Sequence, residues 1–262
     1  MKKKLSIFVL IALIASCSSL IVKKQHAQSI KKVAVISVFS NLGLNNQDHN
    51  SRTNPQAVLK PNRFFSMNKL LNYSYNKFMI GLNDATGWRV VPYNRVARSR
   101  AYRNFRKKLT QNYAVKGYGW SKYLFNNTMS YKNCPKVLFN GKDKDMKQMI
   151  GKLCRDLRVD AVAIGSFDYG YGAKMSIGIA ASGKVYTYAH LQVIDKLGNV
   201  VIATPLAGPT GFEGQSSDSF AMVSIPFVGY KFPINNKSWV RLTSAVDNSI
   251  VTMRTKLKKL LQ

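Results

Sequence analysis

Glutamate is nearly missing from this chain: Glu213 is the single one in 262 residues, beside ten aspartates and three histidines. That leaves little material for carboxylate metal cages or acid–base pairs, and it disfavours an enzyme. His26, His49 and His190 have no Cys, Glu or second His at ligand spacing, so neither a metal nor a cofactor is expected. No Gly-x-Ser-x-Gly occurs, and Cys134 would need a partner His to act as a nucleophile. Gly178 to Lys184 fits part of a phosphate-binding loop, but Val185 stands where Ser or Thr is required and a strand follows. A turn between strands explains those residues better. His190 reads as a packing or hydrogen-bonding residue. No apolar run reaches the roughly 18 residues of a spanning helix, which excludes a polytopic helical membrane protein.

Basic and apolar residues are what the chain has in quantity. Forty Lys and Arg against 11 acids give a formal charge of +29, and 46% of residues are hydrophobic. That composition is ample for a packed core and excludes disordered, collagen-like and coiled-coil classes.

The first residues read as a secretion signal. Met1-Lys2-Lys3-Lys4 is a positive start, and Leu5 to Ser16 is a mostly apolar stretch too short to span a bilayer. The sequence Ile14-Ala15-Ser16-Cys17 resembles the lipobox of bacterial lipoproteins. That resemblance implies cleavage after residue 16 and acylation of Cys17, and several acyl chains on one residue give a stable anchor. The alternative is an ordinary signal peptide cut after Ala27. By the lipoprotein sorting rule, Ser18 implies the outer membrane, lipid-anchored and facing the periplasm. Residues 17–31 are expected to form the lipidated cysteine and a tether, and 32–262 the periplasmic domain. Cys134 and Cys154 then sit in an oxidising compartment. They are expected either to form one disulfide or to remain two buried thiols.

Periodicity predicts one α+β domain: a mixed sheet of four to five strands packed by helices, with a long C-terminal helix. Strands are expected at Lys32–Phe39, Trp88–Tyr93, Ala161–Phe167, Val185–Asp195 and Val200–Thr204. Helices are expected at Ser66–Asn83, Arg95–Leu109, Asp143–Leu157 and Ser238–Leu261, the last with Ser238 as N-cap. Asn41–Pro61 reads as loop and Gly208–Asn236 as irregular.

The interval 85–142 holds thirteen basic residues and no acid. On a helix from Arg95, Ala97, Ala101, Tyr102, Phe105 and Leu109 form an apolar arc opposite Arg95, Arg100, Arg103, Arg106 and Lys107. Like charges crowded on one face repel unless an external anion compensates them. Downstream, Lys116, Trp120 and Lys122 interleave charge with aromatic rings. This pattern suits an anionic envelope polymer, anionic lipid headgroups or an acidic periplasmic protein. Nucleic acid is disfavoured for a tethered periplasmic chain, and a bland solvated face is the alternative.

Trp88 to Arg95 after an amphipathic helix, Leu157 to Ser166, and the hairpin through Val193 to Val200 resemble the core of bacterial lipoproteins related to CsgG, the curli-secretion channel. The same anticodon-binding-like core occurs in LpoB and at the TolB N-terminus. The resemblance covers residues 32–205 and the last helix. It implies a scaffolding role without a cofactor: a binding or assembly module, with homo-oligomers among the outcomes. The rival it implies is a secretion-pore subunit, whose spanning hairpins would come from residues 173–194 and 199–232. Pro205, Pro209, Pro226 and Pro233 count against the second hairpin. A hydrolase acting on envelope polymers is a further, weaker rival.

Overall fold

The computed structural model describes residues 21–46, 58–59, 66–113, 128–137, 139, 141–177, 180–204, 220–228 and 236–262. Residues 1–16, Cys17, Lys116, Trp120 and Lys122 lie outside the described residues.

The elements in chain order are β1 (Ile21–Val22), α1 (Lys24–Gln28), β2 (Lys32–Asn41), β3 (Leu44–Asn46), β4 (Val58–Leu59), α2 (Met67–Thr86), β5 (Arg89–Val91), α3 (Tyr93–Ala97), α4 (Arg100–Tyr113), β6 (Thr128–Ser130), α5 (Lys144–Leu157), β7 (Ala161–Ile177), β8 (Ala180–Asp195), β9 (Val200–Ala203), β10 (Phe220–Val228) and α6 (Asn236–Leu261). They form one mixed sheet, the α+β class expected. Its main path runs β1-β9-β8-β7-β2-β5, with β10, β3, β4 and β6 attached at its margins. β2 is parallel to β5 and β7, and β7 is antiparallel to β8.

The connections place the helices. The chain moves from β2 through α2 to β5 on one side, then returns through α3, α4 and α5 to β7 on the other side of β2. Right-handed crossovers in opposite directions put their helices on opposite faces of the sheet. The side chains agree: a Cβ on Gly165 would touch the Phe78 ring of α2 at 3.2 Å. Gln192, pointing to the other face, donates to the Phe139 carbonyl ahead of α5 at 2.6 Å.

Local chemistry explains the clearest elements. Ser66 accepts the Lys69 N–H to start α2, and Gly87 ends it with a left-handed φ of 69°. Asp143 starts α5 by accepting the Met146 N–H at 3.0 Å. On α6, Leu242, Val246, Ile250, Met253 and Leu257 are all buried. That stripe packs against α2, where Gly81 leaves no room for a Cβ beside Ile250. Asp247 of α6 binds Lys77 at 3.0 Å and the Tyr73 hydroxyl at 2.8 Å, pinning the two helices.

Five expectations are corrected. The Asn41–Pro61 stretch read as loop carries the paired strands β3 and β4. The Arg95–Leu109 helix is two helices, because the Ser99 hydroxyl accepts the Tyr102 N–H and opens a new N-terminus. Ser238 lies inside α6, which begins two residues earlier at Asn236. The irregular stretch 208–236 contains β10, which pairs with the whole distal half of β8 from Tyr188 to Ala180. The tether over 17–31 is folded from Ile21 onward: β1 pairs with β9, and Ala27 and Ile30 are buried in the core.

The pairing of Cys134 with Cys154 is also not formed. Both are buried free thiols in separate surroundings. Cys134 Sγ sits on the Val38 backbone, 3.1 Å from its N and 3.0 Å from its O, whereas Cys154 faces inward from α5. Burial pushes the Cys134 thiol up to about 11 and the Cys154 thiol up to about 12.

Candidate anion-binding surface

Pro92 ends β5 and caps α3, which turns the chain onto the surface; after the break at Arg98–Ser99, α4 continues along it. The inward side of both helices is aromatic. Tyr93 meets Tyr102 edge-on at 5.8 Å and Tyr131 at 5.9 Å, and Tyr131 stacks on Tyr75 at 4.0 Å. The Tyr75 hydroxyl accepts the Tyr93 N–H at 2.9 Å. The fully buried Tyr102 donates its hydroxyl to the Ile36 carbonyl of β2. Ile36 is the extra residue where the β2–β7 register slips between Val35 and Ser37. A bulge in one strand thus receives the hydroxyl that holds down the basic helix.

The outward side carries Arg95 and Arg98 at α3, then Arg100, Arg103, Arg106, Lys107 and Lys108 on α4, all exposed. The structure therefore brings together five of the expected residues, Arg95, Arg100, Arg103, Arg106 and Lys107, but on two helices rather than one. Arg103 bridges the break by donating from Nη1 to the Arg98 carbonyl at 2.8 Å. Arg106 sits close enough to the ring cluster to pull the Tyr93, Tyr102 and Cys134 ionisations downward, against the larger upward push of burial. Among the described residues, none of Arg95, Arg98, Arg100, Arg103, Lys107 or Lys108 has a carboxylate within ion-pair distance.

Beside this surface, α4 and α5 leave a groove of about 390 Å³, floored by Phe105, Met149 and Leu153 and rimmed by Lys108, Asp145 and Lys152. Its mixed rim distinguishes it from the uniformly basic face of α4.

Two arrangements escaped the sequence. His190 is buried, stacks on Tyr188, and lies with Nε2 3.1 Å from Asp168 Oδ2. Their proximity follows from β7–β8 register, in which Asp168 faces Tyr188 and reaches diagonally to His190. The second is the joining of α1 to the end of α6, where Lys24 Nζ donates to the Gln262 carbonyl. No group of His, Cys, Asp or Glu among the described residues could hold a metal ion. No described helix is long and apolar enough to cross a membrane.

No family model matches the chain, and no curated protein matches it. Among solved structures, the crystal structure of lipoprotein GNA1162 from Neisseria meningitidis is similar at a TM-score of 0.27 and 12% identity, over 84% of this chain and 98% of that one.

Proposed function

We propose that this chain is a periplasmic lipoprotein, acylated at Cys17 and anchored in the outer membrane, that works as a non-catalytic binding or assembly module. Its ligand is an anionic envelope component, and lipopolysaccharide phosphates are the chemistry that fits best; an acidic periplasmic protein is the alternative occupant. One observation carries the reading: Arg95, Arg98, Arg100, Arg103 and Lys107 stand exposed along α3 and α4 with no carboxylate in reach among the described residues. Guanidinium groups bind phosphate through paired N–H donors, and a fixed row of them suits a repeated anion. The set Arg95→Glu, Arg100→Glu, Arg103→Glu and Arg106→Glu is expected to weaken binding to lipopolysaccharide and envelope extracts by at least tenfold. Unchanged binding would sink the reading. The anchor is tested by labelling with a palmitate analogue, and incorporation that survives Cys17→Ala would defeat it.

A second reading, the CsgG-like secretion-pore subunit, is favoured by the length of the central strands. β7 and β8 have 17 and 16 residues, and β10 adds a ladder of nine pairs to the distal part of β8. Outer-membrane strands run to about 9–11 residues, so this ladder has nearly the required reach. Pro226 falls within β10, a strand paired on one side among the described residues, where a missing N–H is tolerated. Heat-labile oligomers that conduct in planar bilayers would support the pore. A monomer that stays soluble without its lipid would count against it.

A further inference from the structure

The entry of the chain into the fold is tightly fixed. β1 pairs with β9, the Lys23 N–H donates to the Val201 carbonyl at 2.8 Å, and His26 Nδ1 lies 3.3 Å from Asp195 Oδ2. Only residues 18–20 separate Cys17 from Ile21, where β1 begins. Four residue steps span at most about 14 Å. An acylated Cys17 would therefore keep Ile21 within that distance of the headgroups.

Lysines gather at this point. Lys23 and Lys24 open α1, and Lys24 is bonded to Gln262 at the end of α6. Lys258 and Lys259 occupy the last turn of α6. All four are exposed, and Leu260 beside them is 40% exposed. The negative end of the α6 dipole accounts in part for Lys258 and Lys259, but it does nothing for Lys23 and Lys24 at the start of α1. No described aspartate is in ion-pair distance of these lysines, and Lys24 holds the main-chain oxygen of the last residue, Gln262.

The geometry points to a second binding surface: Lys23, Lys24, Lys258 and Lys259 clamp the domain onto anionic phospholipid headgroups. The clamp rests on the lipid-anchor reading for its proximity, since the short link holds β1 within about 14 Å of the headgroups. It is separate from the anion-binding surface, because α6 and α4 cover opposite faces of the sheet. Held at two points, the domain would present α4 in one orientation to the periplasm instead of swinging on its lipid.

The experiment is hydrogen exchange on the full chain with vesicles of phosphatidylethanolamine and phosphatidylglycerol, against vesicles of phosphatidylcholine alone. Amides of α1 and the last turns of α6 are expected to exchange at least tenfold more slowly with the anionic vesicles at about 0.1 M salt. That protection should vanish near 1 M salt. It should also vanish in the variant Lys23→Glu, Lys24→Glu, Lys258→Glu and Lys259→Glu. Reversal of Arg100, Arg103 and Lys107 should leave it intact. Equal exchange with both vesicle types, or protection confined to α4, would overturn the clamp. Palmitate labelling of the same preparation reports the anchor independently. A chain that takes no label yet shows protection that follows anionic lipid keeps the clamp and loses the anchor. A labelled chain without protection does the reverse.

Discussion

Replacing Tyr102 by Phe deletes one oxygen and keeps the ring that packs against Tyr93 and Phe105. The lost hydroxyl is the donor to the Ile36 carbonyl, at the slipped residue of the β2–β7 ladder. Ile36 is skipped by the β2–β7 register, and both residues are fully buried. A buried acceptor left without its donor costs about 1–3 kcal/mol, so a loss of about 2 kcal/mol is expected. With a urea slope of roughly 2 kcal/mol/M, the unfolding midpoint should fall by about 1 M at unchanged slope. Hydrogen exchange should localise the effect, with α4 amides opening faster while α2 and α6 keep their rates. A midpoint shift below about 0.25 M, equivalent to about 0.5 kcal/mol and the range of an ordinary surface change, would refute the reasoning. The bulge carbonyl would then have another partner, and α4 would be held by ring packing alone.

The buried thiols give the protein an alkaline weakness. In the unfolded chain they ionise near pH 8.5, whereas in the fold Cys134 is pushed up to about 11 and Cys154 up to about 12. The unfolded state thus binds fewer protons between those values, and stability falls as pH rises above about 9, at up to about 1.4 kcal/mol per thiol per pH unit. Urea midpoints measured from pH 7.5 to 10 should drop, and Cys134→Ala with Cys154→Ala should flatten the drop; an equal drop in that double variant would contradict it. Gly165→Val should destabilise by about 1–3 kcal/mol, since even a Cβ there touches the Phe78 ring at 3.2 Å. Phe78→Leu in the same chain should recover part of the loss, and strict additivity in a double-mutant cycle would show that the two side chains do not collide.

What the sequence reveals follows how local each determinant is. α2 and α5 are legible because their boundaries are written in neighbouring residues: Ser66 and Gly87 for one, Asp143 for the other. The stripe on α6 is equally plain, from Leu242 to Leu257. The break between α3 and α4 has only a weak local signal, a serine able to cap its own successor, with no Gly or Pro to announce it. β10 has none, because Phe220–Val228 becomes a strand by pairing with residues some forty positions earlier. β1 and α1 fail for the same reason: a two-residue strand and a five-residue helix become structure only through β9 and α6. In the candidate surface, the exposed arginines were readable from helical spacing, since Tyr102, Phe105 and Leu109 had to face inward. The meeting of Lys24 with the end of α6 was not, because it joins positions 238 residues apart.

The scarcity of acids and the exposed cations have one origin. Setting aside Asp48, Glu213 and Asp218, which lie outside the described residues, eight of the 11 acids remain, all aspartates. Seven have structural partners. Asp143 caps α5, Asp160 accepts the Lys31 and Lys32 N–H groups, and Asp195 accepts the Leu197 and Asn199 N–H groups of its turn. Asp247 and Asp84 join α6 to α2, Asp156 pairs with Lys152, and Asp168 meets His190. Only Asp145 has no partner among the described residues, and it rims the α4–α5 groove. Seven of the eight carboxylates are thus held where backbone N–H groups, helix pairs and His190 engage them, and none is in ion-pair distance of Arg95, Arg98, Arg100, Arg103 or Lys107. On the proposed reading, anions taken from outside lower the repulsion among these cations, so binding a polyanion is expected to raise the unfolding midpoint of this chain.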